Sequence, residues 1–223
     1  MKVNTDSLIL GSWVRVAGRY RILDIGTGTG ILALMLAQRA SEEAVIDAIE
    51  IDADAARQAR ENVLASPWAD NIAVCQGSVL TQCPGRQYDL IACNPPYFAA
   101  PAQSTQAYAT QSEARQQARM QDSLSPARLF AWVAAYLTAE GAFYCLYPAD
   151  QVHDIVEQGR ACGLYCTDLL WVQSYAHKAA HVAAMCFTRQ EGAVQKETLV
   201  IHTETGDYSD DYRNLCRPYY LKF

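Results

Sequence analysis

The chain has 223 residues, 51% hydrophobic and 19% charged, with a formal net charge of −6. That length fits one domain with a large core, and no apolar run reaches the ~18 residues of a membrane span. The acidic balance speaks against non-specific binding to nucleic acid, which rests on Lys and Arg at phosphates, so an RNA partner requires a local basic patch.

The N-terminus, Met1-Lys2-Val3-Asn4-Thr5-Asp6, lacks the layout of a secretory signal, which predicts a cytoplasmic protein. Arg21–Ile25 reads as a short buried strand, followed by a glycine-rich turn and a helix over Ile31–Ala40. A strand over Ala44–Ile49, a helix over Ala53–Leu64, and strands over Ile72–Cys75 and Asp89–Cys93 come next. Ala99–Ser125 is a long polar insert. A helix over Phe130–Leu137 is ended by Glu140-Gly141 and leads to a strand over Ala142–Tyr147. A helix over Gln151–Cys162 is followed by strands over Leu169–Val172 and Val182–Thr188, joined by Gln173–His181. Gly192–Phe223 forms a tail carrying Tyr208, Tyr212, Tyr219 and Tyr220. Strands alternating with helices predict an α/β fold, a mostly parallel sheet with helices on both faces. Such sheets bind ligands at the carboxyl ends of their strands. Of the eight cysteines, Cys75, Cys93, Cys145 and Cys186 sit in apolar runs. The one close pair, Cys162 and Cys166, has no second pair nearby, so free thiols are expected and no metal site or disulfide.

The segment LDIGTGTG places Gly26, Gly28 and Gly30 between a strand and a helix. Glycine permits a sharp turn and close approach of a ligand to the backbone. A dinucleotide fingerprint would be G-x-G-x-x-G, facing a pyrophosphate; here Ile31 occupies the third glycine position. The turn therefore suits a nucleoside without a diphosphate and disfavours a nicotinamide oxidoreductase. Asp24 precedes the turn and is placed to bond its backbone or a bound cationic group. Glu50 ends the second strand, 24 residues after Gly26, where a carboxylate accepts hydrogen bonds from ribose hydroxyls. Asp52 competes for that role. Asp47 lies inside the same strand without an evident purpose. IACNPPYF then closes a buried strand with Asn94 and a stiff Pro95-Pro96 loop tipped by Tyr97.

Together these features resemble the seven-stranded S-adenosylmethionine-dependent methyltransferases. The resemblance implies strand order 3-2-1-4-5-7-6 with the last strand antiparallel, and S-adenosylmethionine as cofactor. It implies that Gly26, Gly28 and Gly30 cradle the cofactor's amino-acid part and that Glu50 holds its ribose. An acid usual near the end of the third strand is replaced here by Ser78. Asn94-Pro95-Pro96-Tyr97 is similar to the motif of enzymes that methylate planar amino groups. Asn94 and the Pro95 carbonyl would accept the two amine hydrogens, Pro96 would fix the loop, and Tyr97 would stack on the base. More narrowly, MKVNTDSLILGSWV, SPWADNI, NPPYF and GDYSDDYRNLCRPYYLKF resemble the bacterial tRNA1(Val) (adenine(37)-N6)-methyltransferases. That family implies a tRNA substrate and closure of the cofactor pocket by Thr5 and Asp6. Its lead ahead of this segment is longer than the one here.

RNA contacts are assigned to Arg115 and Arg119, which share one face at helical spacing, and to Lys178 and His181, with Tyr175 and His177 beside them. Arg128, Arg213, Arg217 and Lys222 are further cations. A monomer is favoured over a dimer. Two other readings stay open. A release-factor glutamine methyltransferase shares the Asn-Pro-Pro-Tyr motif but carries a helical N-terminal domain that this chain has no stretch long enough to supply. A catalytically silent cofactor-binding subunit would have no use for the intact motif.

Overall fold

The computed structural model describes residues 5–81, 85–95 and 124–220. Eight strands form one sheet: β1 (Arg21–Ile25), β2 (Val45–Glu50), β3 (Ile72–Gln76), β4 (Tyr88–Cys93), β5 (Leu137–Pro148), β6 (Tyr165–Tyr175), β7 (Val182–Thr188) and β8 (Gln195–His202). Their order is β3-β2-β1-β4-β5-β7-β6-β8. The expected 3-2-1-4-5-7-6 is present, extended by an eighth strand. Only β7 runs antiparallel to its neighbours, between β5 and β6.

The helices are α1 (Thr5–Trp13), α2 (Ile31–Ala37), α3 (Ala53–Leu64), α4 (Pro126–Tyr136), α5 (Val152–Ala161) and α6 (Asp210–Cys216). Starts are set by local chemistry. Asp52, Ser125 and Ser209 each cap a helix by accepting a hydrogen bond from a first-turn N–H: those of Ala55, Arg128 and Tyr212. Pro126 occupies the first turn of α4, where its missing N–H costs nothing. No described helix is long and apolar enough to cross a membrane.

Strand residues alternate between two cores. Ile22, Ile46, Ala48, Leu90 and Ala92 face one side with Ile9 and Leu10 of α1, Leu32 and Leu36 of α2, Val63 of α3 and Tyr212 of α6. Leu23, Ile25, Ile49, Ile91 and Cys93 face the other with Leu129, Phe130 and Val133 of α4 and Ile155 of α5. Asp47 lies on this second face. Its Oδ2 accepts from the Tyr88 hydroxyl at 2.7 Å and pairs with Arg86 Nε at 3.4 Å, which accounts for a carboxylate within an otherwise apolar strand.

Several boundaries differ from the sequence reading. The helix after the glycine turn ends at Ala37 rather than Ala40. The next-to-last helix spans Val152–Ala161, and β6 reaches from Tyr165 to Tyr175, taking in part of the expected link. The helix expected over Phe130–Leu137 starts earlier, at Pro126, and chain from Leu137 onward is strand. Gly141 is therefore no helix stop. A Cβ there would come within 2.8 Å of the Leu137 side chain, so glycine lets the strand fold over that residue. Arg189 Nη2 donates to the Leu137 carbonyl at 3.0 Å and ties down the corner. α1 carries no amphipathic signal because Ile9, Leu10, Gly11 and Ser12 are buried together between α2 and α6. The tail contributes β8 and α6. β8 is an edge strand whose first four residues are exposed, and Leu199 and Ile201 alone are its buried residues. The tail then returns to α2, where Tyr219 donates to the Met35 carbonyl at 3.0 Å and Gln38 to the Pro218 carbonyl at 3.0 Å.

Phe130 is fully buried and meets Phe143 and Phe187 edge to face at 5.3 and 4.9 Å. Phe130→Ala should lower unfolding free energy by ~3–5 kcal/mol in urea denaturation, the range for emptying an aromatic core site. A loss under ~1 kcal/mol would contradict this packing of α4 on the sheet.

Candidate active site

Strand register brings three polar side chains to one face. Asp24 of β1 pairs with Ala48 of β2 and with Ala92 of β4. Glu50 and Asn94 lie two residues past those partners, so the pleat points all three the same way, toward α1 and α2. All sit at carboxyl ends of parallel strands, where such sheets hold ligands.

The glycine turn spans this edge. Gly26 and Thr27 donate to the Ile49 carbonyl at 2.8 and 3.0 Å, and Gly28 N–H donates to Glu50 Oε2 at 2.8 Å. The Asp52 N–H donates to Glu50 Oε1 at 2.9 Å. Glu50 thus grips the turn with one oxygen and the start of α3 with the other, and it is 9% exposed. Gly26 and Gly28 have φ of 71° and 58°, which a side chain disfavours. A Cβ at Gly26 would meet no protein atom within 4 Å, so this stretch of backbone borders open space. At Gly30 it would touch Ala59 at 3.4 Å, where the turn packs on α3.

Asp24 is fully buried. Its Oδ2 accepts from Thr27 Oγ1 at 2.6 Å and from Ala33 N–H at 3.1 Å, while Oδ1 is buried without a protein partner. Burial pushes its pKa up to about 7. The Thr27 and Ala33 hydrogen bonds oppose that shift, and the nearby Glu50 charge adds to it.

Asn94 is half-buried after β4. Its Nδ2 donates to Ser7 Oγ of α1 at 2.9 Å. The contact orients the amide, since Nδ2 can only donate and Oδ1 only accept. Pro95 is buried beside it. Pro96 and Tyr97, and the arginines Arg115 and Arg119, lie outside the described residues. Thr5 and Asp6 open α1, two and one residues before Ser7, and so stand at this edge. Asp52 caps α3. Ser78 follows Gly77, whose N–H donates to the Glu50 carbonyl at 2.8 Å, and is half-buried beyond the carboxyl end of β3. Lys178 and His181 are exposed in the β6–β7 turn, three strands away from β4.

Sequence reasoning missed four residues. Ser7 and Thr27 orient Asn94 and Asp24; small hydroxyl side chains carry no periodic signal. Ile51 is 52% exposed between Glu50 and Asp52 and offers an apolar face at the strand end. An exposed apolar residue directly after the acid was the available cue. Tyr147 lies near the end of β5 with its hydroxyl buried and without a protein partner. A cavity of about 500 Å³ beside Trp68, Ser41 and Asn71 borders the opposite ends of β2 and β3 and includes none of these residues.

The family of the methyltransferase small domain matches residues 2–121. A tRNA1(Val) (adenine(37)-N6)-methyltransferase of Tolumonas auensis is 39% identical over 100% of this chain and 91% of its own. One of Bacteroides thetaiotaomicron is 39% identical over 99% and 91%. The chain belongs to the tRNA1(Val) (adenine(37)-N6)-methyltransferase family. Among solved structures, a predicted O-methyltransferase from Agrobacterium tumefaciens superposes with a TM-score of 0.65 at 16% identity, covering 96% of each chain. The ribosomal protein L11 methylase of Lactobacillus delbrueckii gives 0.56 at 16% identity, over 83% of this chain and 77% of its own. These two likenesses concern the fold.

This member of the methyltransferase family uses S-adenosylmethionine, and its residues fit that molecule. The backbone at Gly26 borders open space, Asp24 keeps a buried oxygen without a protein partner, and Glu50 presents a carboxylate at the strand end. The raised pKa of Asp24 has a stability consequence. The folded protein holds this proton up to pH about 7, whereas an unfolded Asp loses it near pH ~4. The stabilisation is therefore complete below pH ~4 and is lost as pH rises through 7. Asp24→Asn should remove this component. In urea titrations without cofactor, wild type should lose stability relative to Asp24→Asn by a few kcal/mol (roughly 2–4) between these limits. Parallel pH profiles would contradict the buried, protonated Asp24.

Proposed function

We propose that the chain transfers a methyl group from S-adenosylmethionine to the exocyclic N6 amine of adenosine 37 in tRNA1(Val), acting in the cytoplasm as a monomer. The observation that carries this reading is the Asn94 amide. It stands at the end of β4, is oriented by Ser7, and shares a sheet face with Asp24 and Glu50. The names of the full-length relatives give the substrate class.

The bound cofactor supplies a methyl group made electrophilic by its sulfonium. The rest falls to the chain. Glu50 accepts from the ribose hydroxyls, with Ile51 and Ser78 beside the adenine and Asp52 fixing the start of α3. Gly26, Gly28 and Gly30 leave room for the amino-acid part, and the Asp24 carboxyl lies behind them. Thr5 and Asp6 close the methionine end from α1.

An adenine amine is a poor nucleophile because its lone pair is delocalised into the ring. Asn94 Oδ1 and the Pro95 carbonyl accept its two hydrogens. This turns the lone pair toward the methyl group and stabilises the positive charge that grows on nitrogen. Pro96 holds the loop and Tyr97 supplies a stacking face. After transfer the nitrogen sheds one proton, so no base is required before the step. An unpaired loop adenosine avoids most of the unpairing cost of a duplex base.

The test uses labelled S-adenosylmethionine with an unmodified tRNA1(Val) transcript and a release factor in parallel. Labelled N6-methyladenosine from the tRNA alone is expected. Label in the release factor would move the chemistry to a glutamine amide. Asn94→Ala should lower kcat by ~10²–10³-fold, the range for losing one preorganised group at developing charge, with cofactor affinity retained. Lost cofactor binding with unchanged turnover per bound cofactor would contradict the role given to Asn94.

A further inference from the structure

Five rings stack in series along one end of the sheet: His177, Tyr175, His202, Tyr208 and Tyr212. Successive centroids are 5.6, 5.4, 5.3 and 4.9 Å apart, and the ring planes differ by 25°, 29°, 24° and 25°. The backbone dictates this row. Tyr175 and His202 are register partners on β6 and β8. His202 forms an isolated bridge with Tyr208, and Tyr212 follows one helical turn later on α6. The inner end is anchored: Tyr212 is fully buried and its hydroxyl lies 2.9 Å from that of Tyr220. His202 Nδ1 lies 3.2 Å from the Ser174 carbonyl, which fixes the middle. The outer end is His177, exposed in the β6–β7 turn.

A stack serving the core alone has no reason to continue onto an exposed ring, which buries little apolar area. Its location supplies one. β6 and β8 run parallel to β1, β2 and β4, so their carboxyl ends lie on the same edge of the sheet as Asp24, Glu50 and Asn94. The β6–β7 turn is joined to β5 by the Ala149 N–H, which donates to the His181 carbonyl at 3.0 Å. β5 in turn pairs with β4, which ends at Asn94. Three strand spacings separate β4 from β6, roughly 14 Å at ~4.8 Å each. Nucleotides a few positions along one strand span that distance.

Charge differs along the row. The turn reads Ala176-His177-Lys178-Ala179-Ala180-His181, with Lys178 and His181 exposed and no acid. Glu204 and Asp207 are exposed in the loop between His202 and Tyr208, and Asp210 and Asp211 open α6. These four acids disfavour a polyanion over the tail, where Arg213 Nε donates to the Tyr208 carbonyl at 3.0 Å, while Lys178 is the cation at the outer ring and Asp150 is exposed next to Ala149 beside the turn. On a chain of net charge −6 such a local basic spot is what RNA contact requires.

We propose that the outer face of His177, backed by the ring ladder, is a stacking platform for an unpaired base of the tRNA anticodon loop, with Lys178 and His181 at the flanking phosphates. The inference rests on the tRNA substrate proposed above. The ladder makes the platform rigid, so a base loses less freedom on binding than it would against a mobile surface ring.

The test measures fluorescence-anisotropy Kd for an anticodon stem-loop RNA of tRNA1(Val), with kinetics on the same RNA and S-adenosylhomocysteine affinity as a folding control. His177→Ala should weaken RNA binding roughly tenfold, within the range for one stacked base. KM should rise with kcat nearly unchanged, because the contact is the same in ground and transition states. His177→Phe should bind close to wild type, which separates stacking from charge. Lys178→Ala should reduce the slope of log Kd against log salt by about one phosphate's worth. Wild-type affinity in His177→Ala, or a His177→Phe as weak as His177→Ala, would overturn the platform while wild-type methylation of the RNA leaves the substrate assignment standing. A wild type that neither binds nor methylates this RNA overturns that assignment and the platform with it.

Discussion

The Glu50 carboxylate accepts the Gly28 N–H with one oxygen and the Asp52 N–H with the other. Those two donors belong to the two walls of the proposed cofactor crevice: the turn after β1 and the start of α3. One side chain at a strand end thus ties the two segments together. The turn is further pinned by Gly26 and Thr27 on the Ile49 carbonyl and by Asn62, which donates to the Thr29 carbonyl at 2.8 Å. Charge-assisted hydrogen bonds are shorter and stronger than neutral ones, so a carboxylate is well suited to hold backbone this closely. The same group carries the proposed ribose contacts, and a change at Glu50 therefore acts on both architecture and ligand.

Much of the α/β order can be read from the sequence because parallel strands buried on both faces leave near-continuous apolar runs, as in Leu90–Cys93 within β4. Glu50 and the glycine spacing are legible for a related reason: ligand contact at a strand end needs particular residues in fixed register. The eighth strand is not. β8 lies at the sheet edge with Gln195 to Thr198 exposed, so it lacks alternation and reads as a polar tail. α1 fails oppositely, because four consecutive residues, Ile9 to Ser12, are buried on every side of the helix and leave no amphipathic stripe. Asp47 looks anomalous until Tyr88, 41 residues away, is placed against it. Ser7 and Thr27 become visible only when α1 and the turn are folded against the strand ends. The assignments to Pro96, Tyr97, Arg115 and Arg119 lie outside the described residues.

The sheet divides its labour along its width. β1, β2 and β4 end in polar side chains that face the α1–α2 side and surround the proposed chemistry. β6 and β8 end in rings that stack on one another. The polar tail both closes the sheet's edge and completes the ring row, then wraps back to pin α2 through Tyr219 and Gln38. α1, held between α2 and α6, presents Ser7 to Asn94. Tail packing is thereby connected to the orientation of the proposed catalytic amide.

On this reading Glu50 holds the crevice and its ligand together. Calorimetric binding of S-adenosylhomocysteine to Glu50→Gln tests it most directly. A glutamine can accept one of the two N–H groups but turns a donor toward the other, and it weakens the ribose contacts. Affinity should fall on the order of 100-fold, the sum of two charged hydrogen bonds at ~1.5 kcal/mol each. An affinity within about twofold of wild type, where ~0.4 kcal/mol would separate them, would contradict the account.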